Sequence, residues 1–149
     1  MFKVVSLGVT FLFSEVTLSE VKLAMKQSSF QARGYDGVPQ SVICAAFPAI
    51  GEFILDIFNK SIRESVFPSI WKKSLVLALN KIATPRSLGD FRPIALLCFL
   101  SKILERLIHK QLYDYLETRK FLDPYQSGYR KGHSTQSALI KLTHKMISG

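Results

Sequence analysis

Leu75-Val76-Leu77-Ala78-Leu79, a polar stretch over 80–89 and a second extended run from Phe91 to Leu96 decide the fold of this chain. Two short apolar runs around a glycine-containing polar loop predict a β-hairpin, here with a flexible basic tip that contains Lys81 and Arg86. On both sides the pattern switches to helical spacing. Between 40 and 64, Ile50, Phe53, Ile54, Ile57, Phe58 and Ile62 recur every three or four residues, which predicts a core-facing helix that Pro48 breaks or kinks. After the hairpin, Leu100, Ile103, Leu104, Leu107, Ile108, Leu112, Tyr115 and Leu116 define a second amphipathic helix. Ser101 is its expected cap and Asp123-Pro124 its expected end. A hairpin set among amphipathic helices makes a helix-rich α+β chain.

Farther out, Thr17-Leu18-Ser19-Glu20 reads as a capping box that opens a helix with Val21, Ala24, Met25 and Ser28 on one face. Gly34-Tyr35-Asp36-Gly37-Val38-Pro39 is a loop in which the glycines permit tight turns and Pro39 starts the next helix. Asp36 in such a turn is expected to hydrogen-bond its own backbone rather than serve as a catalytic carboxylate. Ser134 is the expected cap of a last helix through Ala138, Leu139, Leu142 and Met146.

Charge separates the two halves. Residues 1–65 hold six Lys/Arg against six Asp/Glu, whereas residues 66–149 hold fourteen against five, so the net charge of +9 lies in the second half. A neutral helical base joined to a basic half suits a polyanion partner. Cys44 and Cys98 sit in apolar runs without metal-ligand spacing, as buried reduced thiols of an intracellular protein do. The apolar N-terminus, Lys3 followed by residues 4–13, imitates a signal peptide but has one cation and no small-x-small cleavage site, so a buried strand or a non-native start is the expectation. No uninterrupted apolar run reaches the ~18–20 residues that span a bilayer. An intracellular location, nuclear or cytoplasmic, is expected, with no membrane partner.

The residues suited to chemistry are cationic. A triphosphate is held by cations and metal, and Lys81 and Arg92, one on each arm of the hairpin, could converge on a single anion. Lysine supplies a point charge and arginine a fork that matches phosphate oxygens; the alternative is that both are solvated surface charges. In Gln126-Ser127-Gly128-Tyr129-Arg130-Lys131-Gly132-His133-Ser134-Thr135, Gly128 lets backbone approach nucleic acid. Arg130 and Lys131 suit phosphates. Tyr129 suits either stacking on a base or packing in the core.

These motifs, taken in order, resemble the N-terminal part of the reverse transcriptase domain of non-LTR (LINE/jockey-type) retrotransposons, its fingers and the start of its palm. Ala32-Arg33-Gly34-Tyr35-Asp36-Gly37-Val38-Pro39 resembles the segment at the start of that domain, with Gln31 in place of a lysine. Phe67-Pro68-Ser69-Ile70-Trp71-Lys72 resembles its link from helix to strand, with Trp71 expected in the core. Asp90-Phe91-Arg92-Pro93-Ile94 resembles the arginine arm of the fingers hairpin. Gln126-Ser127-Gly128-Tyr129-Arg130 resembles a motif that usually reads Gln-Phe-Gly-Phe-Arg, with Ser127 in place of a phenylalanine and His133 in place of an arginine. Ala78 and Asn80 replace prolines.

The resemblance implies a partial reverse transcriptase domain over 13–149, with 1–12 a separate apolar segment. It implies that Lys81 and Arg92 contact the phosphates of the incoming nucleotide, and that Gln126, Gly128, Tyr129, Arg130 and Lys131 contact the template. Its partners would be an RNA template, a DNA primer, deoxynucleoside triphosphates and the rest of the palm and thumb. The family uses Mg²⁺ on aspartates expected beyond this sequence, and residues 136–149 contain no Asp or Glu. No catalytic residue and no metal ligand is therefore expected in this chain, and the isolated chain is expected not to polymerise DNA. The alternative reading is a non-catalytic basic nucleic-acid-binding module, or a decayed remnant, that uses the same residues.

Overall fold

The computed structural model describes residues 4–6, 9–29 and 32–148, with side chains from 11 to 29 and from 32 to 147. The readings placed on Lys3 and Gln31 lie outside the described residues. Two compact units divide the chain, Met1–Leu112 and Tyr113–Gly149.

The first unit opens with an antiparallel ribbon of β1 (Val4–Ser6) and β2 (Val9–Phe11), Val5 opposite Thr10. The N-terminal apolar segment thus forms two short strands rather than one. Side-chain amides then hold the next stretch. Asn59 accepts from the Val16 amide at 2.8 Å and donates to its carbonyl at 3.0 Å, and Gln111 makes the same pair of bonds to Ser14, each at 2.9 Å.

Helix α1 (Leu18–Lys26) starts at the expected capping box. The Thr17 side chain accepts from the Glu20 amide, and the Glu20 carboxylate accepts from the Thr17 amide. Val21, Ala24, Met25 and Ser28 are buried, as the spacing predicts. Ser28 is satisfied by donating to the Ala24 carbonyl at 2.6 Å. In the loop that follows, Asp36 accepts from the Val38 amide at 3.2 Å, so its role is local. Gly37 takes a left-handed φ of 68°, but Gly34 is required for a different reason. A methyl group there would overlap the Cys98 backbone nitrogen, so two stretches of backbone meet at that glycine.

Helix α2 (Gln40–Glu64) runs through Pro48, so the proline does not break it. The proline removes the donor to Cys44, an exposed residue, so water can satisfy the freed carbonyl. The buried line is Phe47, Gly51, Ile54 and Phe58. Phe53, 73% exposed, and Ile57 point away from the core. By length and composition α2 could cross a membrane, which no uninterrupted apolar run suggested because Glu52 and Asp56 interrupt it. In this fold its inner line forms the core with Val16, Val21, Trp71, Phe99, Ile103, Leu104 and Leu107. Trp71 follows Pro68 in a short 3-10 turn (Ser69–Lys72) and makes edge-to-face contacts with Phe58 and Phe67. Cys98 is buried as expected, but Cys44 is exposed.

Strands β3 (Leu75–Asn80) and β4 (Phe91–Leu96) form the expected antiparallel hairpin. Helix α3 (Phe99–Thr118) follows directly. Ser101 is not its cap. It lies inside the first turn, fully buried, and its hydroxyl donates to Glu105 one turn on. The helix ends at Thr118, earlier than Asp123-Pro124, because Lys120 turns left-handed. The Lys120 amide then bonds the Glu117 carbonyl and the Phe121 amide the Leu116 carbonyl, the reverse-turn pattern that closes helices.

The second unit contains the end of α3 from Tyr113, a loop, and helix α4 (Thr135–Ser148). Ser134 caps α4 as expected, accepting from the Ser137 amide while the Ser137 hydroxyl accepts from the Ser134 amide. None of its described residues is buried, and Leu139, Leu142 and Met146 of α4 are exposed. Overall the chain is helix-rich with a two-stranded antiparallel hairpin, the α+β class.

Candidate nucleotide and nucleic-acid interface

The hairpin is ordered to its tip. The Lys81 amide donates to the Asp90 carbonyl at 2.7 Å, one step beyond the last register pair, Asn80 opposite Phe91. Bonded and non-bonded pairs alternate in an antiparallel ladder. Counting back from Lys81–Asp90, Leu79–Arg92 and Leu77–Ile94 are bonded pairs, whereas Ala78–Pro93 is not. Pro93 therefore costs the hairpin no ladder bond.

Asp90 locks the tip. Its carboxylate accepts the backbone amides of Arg86 and Ser87, each at 2.8 Å, and Ser87 completes a capping box with it. The Arg86 amide first, then that of Ser87, holds the Asp90 carboxyl below the ordinary aspartate range. Asp90, to which the sequence reading gave no role, thus ties down the backbone at Arg86 and Ser87. The Ser87-x-x-Asp90 spacing was the available signal.

Lys81 and Arg92 differ in their environment. The Lys81 ammonium donates to the Gly89 carbonyl at 2.8 Å, across the tip. Arg92 is exposed opposite Leu79, two positions before Lys81, and has no hydrogen-bond or ion-pair partner among the described residues. Both faces of the hairpin are open: Leu75, Val76, Leu77, Leu79 and Ile94 are exposed.

The second motif lies wholly in the second unit and is built around Glu117. Arg130 donates from Nε to Glu117 Oε1 at 2.8 Å, from Nη2 to Oε2 at 2.9 Å, and from Nη1 to the Asp123 carbonyl at 3.0 Å. Its side chain is 15% exposed. The Tyr113 hydroxyl donates to Glu117 Oε1 at 2.9 Å and accepts the Lys131 amide at 3.0 Å. Arg130 first, then Tyr113, holds the Glu117 carboxyl below its usual range by hydrogen bonding to the charged form. Sequence reasoning did not find Glu117, which is thirteen residues from Arg130 across a loop; the Tyr113/Glu117 one-turn spacing was the only local hint.

Around this anchor the neighbouring residues face outward. Tyr129 takes a left-handed φ of 57° and is fully exposed, so it does not pack in a core. The Lys131 ammonium has no partner among the described residues. Gly128 has open space where a Cβ would stand, and the Gln126 side chain reaches the Gly128 carbonyl at 3.3 Å. His133 lies within 3.2 Å of the Lys131 carbonyl through Nδ1. The Ser127 hydroxyl is buried without a hydrogen-bond partner, a cost that a phenylalanine in that position would not carry. The described residues contain no group of three His, Cys, Asp or Glu side chains able to hold a metal ion. The exposed cations and aromatic ring of the arrangement suit anions and bases.

The chain is related in sequence, over most of its length, to the RNA-directed DNA polymerases of non-LTR retrotransposons. It is 32% identical over 134 residues, 89% of the chain, to the probable RNA-directed DNA polymerase from transposon BS of Drosophila melanogaster. With the RNA-directed DNA polymerase from mobile element jockey of the same species it shares 32% over 133 residues, 88% of the chain. The retrovirus-related Pol polyprotein from type-1 retrotransposable element R1 of Bradysia coprophila is 36% identical over 107 residues, 70% of the chain. The chain spans only 15%, 14% and 11% of these three relatives, respectively. No family model matches it.

Proposed function

We propose that this chain is the fingers segment, with the entry to the palm, of the RNA-directed DNA polymerase of a non-LTR retrotransposon, acting within the cell nucleus or cytoplasm. Lys81 and Arg92 hold the phosphates of the incoming deoxynucleoside triphosphate. Arg92 offers a free fork for bidentate contact, and Lys81 exchanges the Gly89 carbonyl for a phosphate oxygen. Gln126, Gly128, Tyr129, Arg130 and Lys131 form the contact to the template strand. Tyr129 stacks on a base, Lys131 meets the backbone phosphate, Gly128 permits close approach, and Arg130 braces the turn. Mg²⁺ and the carboxylates that hold it belong to another part of such an enzyme, so this segment binds and orients.

The observation that carries the reading is Tyr129: an aromatic side chain held fully outward, at a positive φ, between a cation braced by an ion pair and a glycine with open space around it. The test is fluorescence anisotropy of the full chain with a labelled RNA–DNA primer–template hybrid, titrated with salt. Tyr129→Ala is expected to cost about 1–3 kcal/mol of binding, the value of one stacked base. Arg92→Ala is expected to lower crosslinking of a photoreactive deoxynucleoside triphosphate, and Lys131→Ala to reduce the salt slope of hybrid binding by about one contact. Binding and crosslinking that none of these substitutions changes contradict the reading.

A further inference from the structure

Arg130 is the motif's most prominent cation, yet it is the one least available to a phosphate. Its Nε, Nη1 and Nη2 all donate within the unit, and its side chain is nearly covered. Both Glu117 oxygens are likewise engaged, Oε1 by Arg130 and Tyr113 and Oε2 by Arg130. These bonds fix the chain on either side of Tyr129. The Arg130 fork ties the residue after it to α3, and Nη1 ties the turn back to Asp123. The Tyr113 hydroxyl fixes the Lys131 amide, and the His133 amide closes on the Arg130 carbonyl at 3.2 Å. A left-handed tyrosine persists only where its surroundings over-determine it, and here the surroundings are this network.

We propose that Glu117 is a positioning residue for the template-contact segment, presenting Tyr129 and Lys131 to the strand by holding Arg130 and Tyr113 in place. The inference rests on the reading of that segment given above. It makes a prediction opposite in sign to general electrostatics. Removing a carboxylate raises the net charge from +9 to +10, which by charge alone tightens binding to a polyanion. Loss of positioning weakens it.

The test is Glu117→Gln in the full chain, measured by anisotropy against the labelled RNA–DNA hybrid, with amide hydrogen exchange as a second readout. Affinity is expected to fall about fivefold or more, the scale of one stacked base. In a background lacking both contacts, Tyr129→Ala with Lys131→Ala, the same change is expected to cost nothing further, because it acts through those two side chains. Exchange at Tyr129–Lys131 is expected to accelerate, while fluorescence of Trp71, the single tryptophan, is expected to be unchanged. Tighter or unchanged binding by Glu117→Gln, with Tyr129→Ala still weakening it, overturns the positioning role alone. So does unaltered exchange. If neither Tyr129→Ala nor Lys131→Ala affects binding, the underlying reading fails and the inference with it.

Discussion

The two units are held together by different forces. All of the buried apolar core, from Val16 to Leu107, lies within Met1–Leu112, whereas no described residue of Tyr113–Gly149 is buried. In place of a core the second unit has the Glu117 network, the Lys141 ammonium on the Pro124 carbonyl at 3.2 Å, and Lys145 over the Tyr125 ring at 5.0 Å. Apolar burial carries no charge to screen or titrate, whereas ion pairs at the surface are screened and titrate. The difference teaches where order is conditional: the outward-facing motif of the second unit depends on a few charges.

The largest effects are expected in the core. Phe58→Ala removes a fully buried ring packed on Trp71 and should cost about 3–5 kcal/mol, read from denaturant unfolding followed by Trp71 fluorescence. A loss under 1 kcal/mol would mean that the first unit lacks the packed core described here. Gly34→Ala follows, at about 1–3 kcal/mol, because the added methyl meets the Cys98 backbone, which cannot rotate away. The same unfolding curves measure it.

The third expected effect separates the units. The Glu117 carboxyl lies below its ordinary value in the folded chain, with Arg130, Tyr113 and His133 acting on it. Its contribution is therefore complete above the unfolded glutamate value and is lost as pH falls through the lower folded one. Hydrogen exchange at acid pH, below the ordinary glutamate value, should show 124–134 opening while α2 stays protected; simultaneous loss in both would remove the contrast. The smallest effect is a gain. Ser127→Ala deletes a buried hydroxyl that has no partner and should stabilise the second unit by about 1 kcal/mol, read from the same exchange experiment.

Much of this was legible in the sequence, because local rules governed it. The Thr17/Glu20 box, the Val21–Ser28 face, Asp36 bonding its own backbone, the hairpin, Trp71 in the core and the Ser134 cap each follow from residues a few positions apart. What was missed depended on tertiary context. Along α2, the apolar residues form two overlapping stripes, and periodicity cannot say which one is buried; one residue of phase turns Phe53 outward and Ile54 inward. Ser101 looked like a cap, but Glu105 supplies an acceptor that lets it sit inside the helix. Pro48 did not break its helix, because the residue that loses a donor is exposed. At the site, the cations were visible in sequence, whereas the acids that arrange them were not. Asp90 pins one motif and Glu117 the other, and only the folded chain brings Glu117 to Arg130.

The most direct measurement of the account is a hydrogen-exchange footprint of the full chain with and without an RNA–DNA primer–template hybrid and the matching deoxynucleoside triphosphate at low salt. Added protection concentrated at 81–92 and 126–131, with α1 and α2 unchanged, is the predicted result. A footprint on α1 and α2, or none at any hybrid concentration, would contradict it.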